Sequence, residues 1–498
     1  MTVDRIVISG GTVITMDPAL GDIADGAVLI ENDEIVQVAS TSDAFESVDA
    51  RRIDATDAIV VPGMIDSHRH TWLALLRGIS GDQALLEFIA NTFYGIGSIM
   101  RADDMGVATL VGALEALDAG VTSIFDCSDC VNSPEHADAN VEGLRTAGLR
   151  SVYAYGMQRY DFEPPAFGSH GERLRDAARL RSEYFSAADD MYQMGMLYSD
   201  FGTIPFGDTA AEIRQARELD IHGASHTGAA AGSVLLRGLR ELDDHGLLLP
   251  GHLHVHCNGL DEQEWKLLGD SGAHVVTSPE TELQMGMGLL PIRPAMRHGI
   301  APGVGTDSII CGSGDLFGQM RLALQHQRAM DCLPIHAEGR SPLAIDLRVR
   351  DALTWATTNG AAIMGLGSKI GSLTPGKKAD VIIVRPRWNV VRSSFPAATV
   401  VLQSAAADVD TVLVNGEIRK ENGHLVGHDL AALRAKANAA LDNIERAAAD
   451  LHVFGPDELA TFVGQAERGA SVNYAMAYPE MAAPVSESTA PPAALPAG

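Results

Sequence analysis

Two histidines separated by one residue follow an apolar segment near the start of the chain. Residues 58–65 are continuously apolar, as is typical of a buried parallel strand, and they lead into Asp66-Ser67-His68-Arg69-His70. Side chains two positions apart in a strand point to the same side, so His68 and His70 are expected to project together, with Arg69 directed away. Two imidazoles at a strand end make half of a metal site. Alone the pair is a weak signal, because two hydrogen-bonded histidines at a strand–loop junction would have the same pattern.

Three later segments that also read as strands end in residues of the same chemical kind. Residues 221–226 end in His226, residues 252–257 carry His256 near their end, and residues 301–307 end in Asp307. Alternation places His252, His254 and His256 on one side of their strand, and the two earlier histidines are expected to be core residues, like His222. Imidazoles and one carboxylate that converge on one mouth suit a divalent metal.

The elements that would bring these residues together alternate between strand and helix from about residue 57 to residue 370. The pattern contains about eight such units, which predicts an α/β fold with a (β/α)8 TIM-type barrel. In such barrels the active site lies at the C-terminal ends of the strands, where His68, His70, His226, His256 and Asp307 are predicted.

The two ends of the chain have a different pattern from the barrel. Residues 1–56 and 371–429 contain short strands and turns, which predicts one composite β-sandwich domain built from both ends. Residues 430–498 are expected to form a helical extension and a disordered tail, because the sequence is rich in Ala and then in Pro, Ala and Ser.

The composition of the chain indicates which classes of molecule it binds. The chain has 498 residues and a formal net charge of −28, which argues against nucleic acid and against an anionic membrane surface as partners. The first residues lack the pattern of a signal peptide, and no apolar run is long enough to cross a bilayer, so a cytoplasmic location is expected. The expected partner is a small-molecule substrate.

Four segments together resemble the amidohydrolase superfamily, most closely the branch with cytosine, guanine and S-adenosylhomocysteine deaminases and the triazine hydrolases. These segments are residues 62–70, the His256-Cys257 pair followed by residues 261–264, the Gly305-Thr306-Asp307 triplet, and residues 371–380. The resemblance spans residues from about 5 to 425 and implies a metal-bearing barrel with a composite β domain.

The resemblance also implies a ligand set. His68, His70, His226 and Asp307 would bind one divalent metal ion per subunit, with zinc favoured over iron, cobalt and manganese, and His256 would sit beside the ion. Related enzymes with two ions use a carboxylated lysine on the fourth barrel strand, and no lysine occurs on the third or fourth strand here, which favours the mononuclear type. Because superfamily members are commonly dimers or larger, a homo-oligomer is expected.

These residue types suit hydrolysis at an sp2 carbon that carries a nitrogen or another heteroatom leaving group. A bound divalent ion can lower the pKa of its water from about 15.7 to roughly 7. Asp307 is expected to accept the water's proton and pass it to the leaving group, and His256 to stabilise charge on the substrate.

Two departures from the related deaminases bear on the substrate. Ala229 stands three residues after His226, where those enzymes carry a glutamate that handles a ring nitrogen, and alanine cannot move a proton. Glu282, after the seventh strand, is the hypothesised replacement carboxylate or cation-binding group, with a solvated loop residue as the alternative. Trp72 and Gln158 are candidates for the pocket wall, with packing as the alternative.

The sequence therefore predicts a mononuclear metal-dependent hydrolase of a non-peptide C–N bond in an amide, urea, carbamate or cyclic analogue. The first alternative is a deaminase or dechlorinase of a substituted N-heterocycle. The alternatives from other classes are a catalytically inactive protein of the same fold and a metal-dependent decarboxylase.

Overall fold

The structure is a computed structural model that describes residues 4–160, 166–186, 191–391, 394–473 and 476–478. The tail expected to be disordered beyond about residue 480 lies outside these ranges.

The N-terminal part of the chain contributes strands to one sheet. These strands are β1 (Arg5–Ile14), β2 (Asp22–Glu31), β3 (Glu34–Ala39), β4 (Arg51–Asp54) and β5 (Ile59–Pro62). The predicted hairpin turn at Asn32-Asp33 joins β2 to β3, and Asn32 has the left-handed φ of +56° that such turns require.

The apolar run at residues 58–65 is not one strand, as the sequence analysis expected, but two. It divides at Gly63 into β5, which belongs to the sheet of the chain ends, and β6 (Met64–Arg69), the first barrel strand. A Cβ atom at position 63 would lie 2.1 Å from Oγ1 of Thr122, so only glycine fits where the chain passes from one sheet to the other. Ile59–Pro62 therefore lies in the sheet of the chain ends, beyond the boundary expected at residue 56.

Eight parallel strands form the barrel in sequence order. The strands after β6 are β7 (Val121–Ser128), β8 (Arg150–Gly156), β9 (Tyr192–Leu197), β10 (His222–Thr227), β11 (Leu253–His256), β12 (His274–Thr277) and β13 (Gly303–Val304). The first and last strands meet because Asp307 N–H donates to the His68 carbonyl at 2.8 Å and His70 N–H donates to the Asp307 carbonyl at 3.3 Å. The predicted barrel is confirmed, and its closing contact joins two stretches that carry site residues.

The barrel interior is a separate apolar cluster. It takes residues from every strand between β6 and β12, among them Phe125, Ala224 and Val255, and it is closed below by residues from the region 361–370. The interior is therefore packed with side chains, and the polar residues of the site stand on top of this cluster.

Helices cover the outside of the barrel. They are α1 (Leu85–Phe88), α2 (Ala102–Asp118), α3 (Pro134–Ala147), α4 (His170–Tyr184), α5 (Phe206–Glu218), α6 (Leu239–Asp244), α7 (Glu262–Ser271), α8 (Pro279–Gln284), α9 (Ile292–Arg297), α10 (Leu316–Ala337), α11 (Val349–Thr354) and α12 (Gly360–Ile363). Short 3₁₀ or π-helical turns cover Thr71–Leu75, Ile89–Gly97 and Trp355–Asn359.

Residues 233–238 form turns, and helix α6 begins at Leu239. Leu236 takes a left-handed φ of +62°, which ends any continuous helix there, and its side chain turns into the cavity described below.

The sheet of the chain ends is completed after the barrel by β14 (Val381–Val384), β15 (Val409–Val414), β16 (Glu417–Glu421) and β17 (His424–Leu425). Helix α13 (Pro396–Ala398) and turns over Thr399–Gln403 and Ala406–Asp408 connect β14 to β15. Strand β14 pairs with β5, so one nine-stranded sheet joins both ends of the chain, as predicted.

Side chains that alternate along β14 pack into two different apolar cores. Ile382 and Val384 join the large core that the sheet shares with the barrel, whereas Val381 and Ile383 join a core within the sheet domain. A buried bidentate ion pair, Arg150 to Asp380, ties the start of β8 to the start of β14, with N–O distances of 3.0 and 3.1 Å.

Two helices follow the composite sheet: α14 (Leu430–Ala448) and α15 (Pro456–Asn473). We call residues 454–473 and 476–478 the C-terminal segment. It packs on three stretches near the barrel mouth: Phe462 against Tyr94, Asn473 Nδ2 on the Gly202 carbonyl at 2.7 Å, and the Tyr478 hydroxyl accepting from Gly238 N–H at 3.0 Å. No helix in the described ranges is long and apolar enough to cross a membrane.

Candidate metal centre and active site

Four imidazoles and one carboxylate form a single cluster at the C-terminal end of the barrel. The ring centroids of His68 and His70 are 4.7 Å apart, and that of His226 is 5.4 Å from each. The His256 ring is 5.5 Å from His68, and Asp307 completes the group. The structure thus brings together five residues that the sequence analysis placed at strand ends.

His70 is held by two acceptors behind it. Its Nδ1 lies 2.6 Å from Oδ2 of Asp129 and 3.0 Å from the Cys127 carbonyl, so Nδ1 carries the proton and donates. The Nε2 atom is left free to face Asp307, whose Oδ1 is 3.1 Å away. Burial alone would lower the pKa of His70, but the carboxylates of Asp129 and Asp307 hold it well above its ordinary value.

His68 is fully buried and faces Asp307 through Nε2, at 3.2 Å from Oδ1. Its Nδ1 lies 3.3 Å from the Cys127 sulfur. Burial lowers the pKa of His68 to about 3, so the ring is neutral, the form in which histidine binds a metal. Burial raises the pKa of Cys127 well above its ordinary value, so this residue is a neutral thiol that supports His68.

Arg69 points away from the cluster, as predicted. Its guanidinium is buried behind the barrel mouth, where it donates to Asp66, Thr306 and Glu115. Because Thr306 precedes Asp307, these bonds fix the two strand ends that carry His68 and Asp307.

His226 extends from β10 and has a carboxylate behind it. Its Nδ1 lies 3.4 Å from Oδ1 of Asp200, which follows β9. The Asp200 side chain is 14% exposed, compared with 2% for Asp129. Asp200 therefore lines the cavity, whereas Asp129, the carboxylate behind His70, does not.

The backbone at His256 differs from the regular strand that the sequence predicts. The sequence analysis placed His252, His254 and His256 on one side of β11, but the first two contact Ser225 on the face opposite His226. His256 and Cys257 have left-handed φ values of +77° and +59°, which turn the His256 ring round towards the other imidazoles. Such backbone strain is characteristic of functional sites.

Glu282 lies behind His256. Its Oε1 is 3.2 Å from His256 Nδ1, and its two oxygens also accept bonds from Asn258, Thr277 and the Ser278 N–H. The Glu282 side chain is 0% exposed. Glu282 does not line the cavity, and it contacts the nitrogen of His256 that points away from Asp307. Its role as a replacement carboxylate stays a prediction.

Asp307 is the centre of the cluster. It has a left-handed φ of +56°, and its two oxygens divide the site, because Oδ1 faces His68 and His70 while Oδ2 lies 3.8 Å from His256 Nε2. Burial would raise the pKa of Asp307, but the surrounding imidazoles of His68, His70 and His256 hold it well below its usual range. The residue is a carboxylate.

A cavity opens above this cluster. One wall is apolar and includes Phe88, Ile89 and Phe93, where the chain winds as a π-helical turn over Ile89–Gly97. The remaining residues that line the cavity are His70, Leu85, Asp200, His226, Ala229, Leu236, His256, Thr281, Asp307 and Ser308. Among the described residues, none that lines the cavity is a lysine or an arginine.

Trp72 and Gln158, the two pocket-wall candidates, do not line this cavity. Trp72 is buried and its indole N–H donates to Asp129 at 2.9 Å, so it supports His70. Gln158 Oε1 accepts from the Asp200 N–H at 3.0 Å, and its amide donates to the Tyr94 hydroxyl at 3.2 Å. Direct contact of either residue with substrate stays a prediction.

The donor set fits a divalent metal ion. His68, His70 and His226 offer nitrogen atoms that all lie within 4.8 Å of one another, and so do the donor atoms of His68, His256 and Asp307. The Asp307 oxygen lies 3.1 to 3.2 Å from two imidazole nitrogens, close to the separation of neighbouring ligands around one ion with bonds near ~2.1 Å. Strands β8 and β9 contain no lysine that could bridge a second ion.

The sequence analysis did not identify Asp129 and Asp200. Both follow barrel strands, β7 and β9, within a few residues of the strand end. The strand-end rule that selected the histidines would have selected these carboxylates too, had it been applied to every strand.

Known proteins with similar sequences include several deaminases. A 5-methylthioadenosine/S-adenosylhomocysteine deaminase of Symbiobacterium thermophilum is 28% identical over 471 residues, which cover 89% of this chain and 100% of the relative. A 5'-deoxyadenosine deaminase of Methanosarcina mazei is 26% identical, with coverage of 88% and 98%.

Solved structures share the fold. An adenosine deaminase from Xanthomonas campestris with bound zinc has a TM-score of 0.77 at 23% identity and covers 89% of this chain and 99% of its own. Atrazine chlorohydrolase from Arthrobacter aurescens, complexed with zinc, has a TM-score of 0.74 at 24% identity, with coverage of 88% and 100%.

The family comparison covers most of the chain and includes every site residue described above. Residues 59–419 match the amidohydrolase family, a stretch that runs from β5 through the barrel to β16. The chain belongs to the amidohydrolase family.

Proposed function

We propose that the protein is a mononuclear metal-dependent hydrolase that breaks a non-peptide C–N bond in a small nitrogen-containing molecule. The observation that carries this proposal is that two triads of possible metal ligands share His68 at the barrel mouth: His68, His70 and His226, and His68, His256 and Asp307. The family membership and the deaminase relatives support the same class of reaction.

His68, His70, His226 and Asp307 would hold the ion, with zinc favoured because zinc occupies two structural neighbours. When bound, the ion supplies a water of lowered pKa and polarises the bond to be attacked. Asp307 accepts the proton that this water loses as the new C–O bond forms. It then delivers the proton to the nitrogen that departs as the C–N bond breaks.

His256 is the residue that we assign to the charge that develops on the substrate. Its Nε2 faces the cavity and Oδ2 of Asp307, while Glu282 holds Nδ1 from behind. A donor at that position stabilises negative charge that develops on the substrate atom next to the attacked carbon. Glu282 acts through His256 in this scheme.

The second candidate is deamination of an amino-substituted N-heterocycle. The relatives favour it, because they are named deaminases and the similarity covers almost their whole length. Ala229 argues against the proton transfer that related deaminases make at this position, because its methyl group lines the cavity. We therefore rank hydrolysis of an amide, urea, carbamate or cyclic analogue ahead of deamination.

Two measurements test the proposal. Plasma mass spectrometry of the purified protein should find about one equivalent of divalent metal per chain, lost in His68→Ala and kept in His222→Ala, a histidine that bonds to Gln193 outside the site. The loaded enzyme is then screened against amides, ureas, carbamates and amino-heterocycles, with free ammonia and skeletal cleavage measured separately.

Ammonia release without skeletal cleavage would select deamination. An absence of metal, before and after reconstitution, would refute the proposed function.

A further inference from the structure

The three histidines that face the cavity each have a carboxylate behind Nδ1, but only one of these carboxylates is itself part of the cavity wall. Asp129 and Glu282 are 2% and 0% exposed, and neither lines the cavity. Asp200 is 14% exposed and does line it. The bond from Asp200 to His226 is also long, at 3.4 Å, compared with 2.6 Å for Asp129 to His70.

Only one oxygen of Asp200 is engaged by the described residues. Oδ1 faces His226 Nδ1, and within the described part of the chain Oδ2 has no hydrogen-bond donor. The Asp200 backbone is fixed separately, because its N–H donates to Gln158 Oε1, which Thr203 Oγ1 also reaches at 3.2 Å. Asp200 is thus a carboxylate that lines the cavity and has one oxygen that no described donor engages.

The remainder of the cavity wall determines what such an oxygen would bind. The lining combines apolar side chains, including Phe88 and Phe93, with the carboxylates of Asp200 and Asp307, and none of its described residues is a lysine or an arginine. Asp307 is enclosed by imidazoles, so Asp200 is the carboxylate available to a ligand. A carboxylate with one oxygen free of described donors, in a cavity with apolar walls, favours a ligand that brings N–H donors or positive charge.

We propose that Asp200 determines substrate class by binding an N–H-bearing, amidine-like or amino-substituted group of the substrate. This inference rests on the proposed function for the identity of the reacting bond. It assigns the specificity-determining carboxylate to the end of β9, in contrast to Glu282, which lies behind His256.

Three ligands of one shape test this assignment in the metal-loaded protein. Benzamidine carries two N–H-bearing nitrogens and a positive charge, benzamide is its neutral analogue, and benzoate is the anionic analogue. Isothermal titration should find benzamidine bound at least ten times more tightly than benzoate, with benzamide between them. Asp200→Asn should reduce that preference at least tenfold while the metal content stays at the wild-type value, because the 3.4 Å contact of Asp200 with His226 is much longer than the 2.6 Å contact behind His70.

Asp103→Asn, which removes an exposed carboxylate at the start of α2, should leave both values unchanged. Equal binding of benzamidine and benzoate by the wild type, or an unchanged preference in Asp200→Asn, would overturn the assignment. Loss of metal in Asp200→Asn would also overturn it, since Asp200 would then act only by positioning His226. A failure of the proposed function is distinct from these outcomes, because it would appear as missing turnover in the wild type.

Discussion

Oδ2 of Asp129 lies 2.6 Å from Nδ1 of His70, the shortest carboxylate–imidazole contact of the site. The carboxylate fixes which ring nitrogen is protonated and so which nitrogen, Nε2, is presented to Asp307. Trp72 in turn donates to the same carboxyl oxygen at 2.9 Å, which completes a buried chain from tryptophan to carboxylate to imidazole.

Asp129→Asn should weaken metal binding about 10- to 100-fold, because a residue behind a metal-binding histidine sets its orientation and basicity. Competition with a chromogenic chelator measures the affinity. Trp72→Phe removes only the indole donor and should give a smaller loss. Asp138→Asn on α3, a half-buried carboxylate that pairs with Arg179, is the control, and equal affinity in Asp129→Asn and this control would contradict the chain of contacts.

Gly305→Ala should destabilise the barrel where its last strand meets its first. A Cβ atom at this position would lie 2.5 Å from the His68 carbonyl oxygen and 2.8 Å from the His68 nitrogen. Backbone atoms cannot yield as a flexible side chain can, so we expect a loss of about 1–3 kcal/mol in the free energy of unfolding, together with reduced metal content. Chemical denaturation and metal analysis give the two readouts.

The matched substitution for this test is Gly207→Ala near the start of α5, where an added Cβ meets nothing within 4 Å. It should leave stability unchanged or raise it slightly, since alanine favours helix. If the two variants were equally stable, the close approach at Gly305 would be refuted.

Glu212 gives the protein a pH-dependent stability. Burial raises the pKa of Glu212 from its ordinary value of 4.5 to about 8, although the Ser199 N–H and hydroxyl both donate to it. Between these two pH values the folded state holds a proton that the unfolded state has lost, so this group makes stability fall as the pH rises. The slope is about 1.4 kcal/mol for each pH unit.

Glu212→Gln should remove that contribution, because an amide can accept the Ser199 N–H and pair with the hydroxyl without ionising. Urea denaturation at pH 5.5, 6.5 and 7.5 should find a variant whose stability, relative to the wild type, improves with pH. His170 lies 3.5 Å from Glu212, and Asp208 and Arg173 act on it electrostatically, so the comparison with wild type matters more than either slope alone. Parallel curves for the two proteins would disprove the prediction.

Tyr478 anchors the C-terminal segment. It is 0% exposed, its hydroxyl accepts from the backbone N–H groups of Gly238 and Arg240, and it donates to Glu264 at 3.0 Å. Tyr478→Ala should cost about 3–5 kcal/mol of stability, as for other large buried aromatic residues. Hydrogen exchange should quicken in residues 228–238, the stretch that places Leu236 in the cavity wall.

Val472→Ala, on the exposed side of α15, is the control and should change neither quantity, since its side chain is largely in solvent. Unchanged exchange in residues 228–238 of Tyr478→Ala would mean that the C-terminal segment does not stabilise this stretch.

Local pattern was sufficient to predict the barrel and several of the strand-end positions. The alternation that selected His68 and His70 holds although the pairing of β6 with β7 shifts register between Asp66 and Arg69. The same rule failed on β11, where left-handed φ values at His256 and Cys257 reverse the side on which the ring emerges. A strained conformation of this kind is imposed by tertiary packing and leaves no periodic signal.

Contacts between distant parts of the chain also escaped prediction. The break at Gly63 depends on Thr122, and α15, which the sequence analysis did not identify as a separate helix, is held by Tyr94, Gly202 and the loop after β10. These partners lie far away in sequence, so no local window contains the information that fixes them.

The shared sheet of the chain ends sets an order of events during protein synthesis. Strand β5 pairs with β1 on one side and with β14 on the other, so a nascent chain exposes an unpaired β5 edge from Pro62 until Val381 has been made. The whole barrel is translated in that interval, and its first strand, β6, directly follows a strand of the incomplete sheet. Chains that terminate before β14 therefore present an open apolar edge to one another, and pairing of β14 with β5 is the step that protects it.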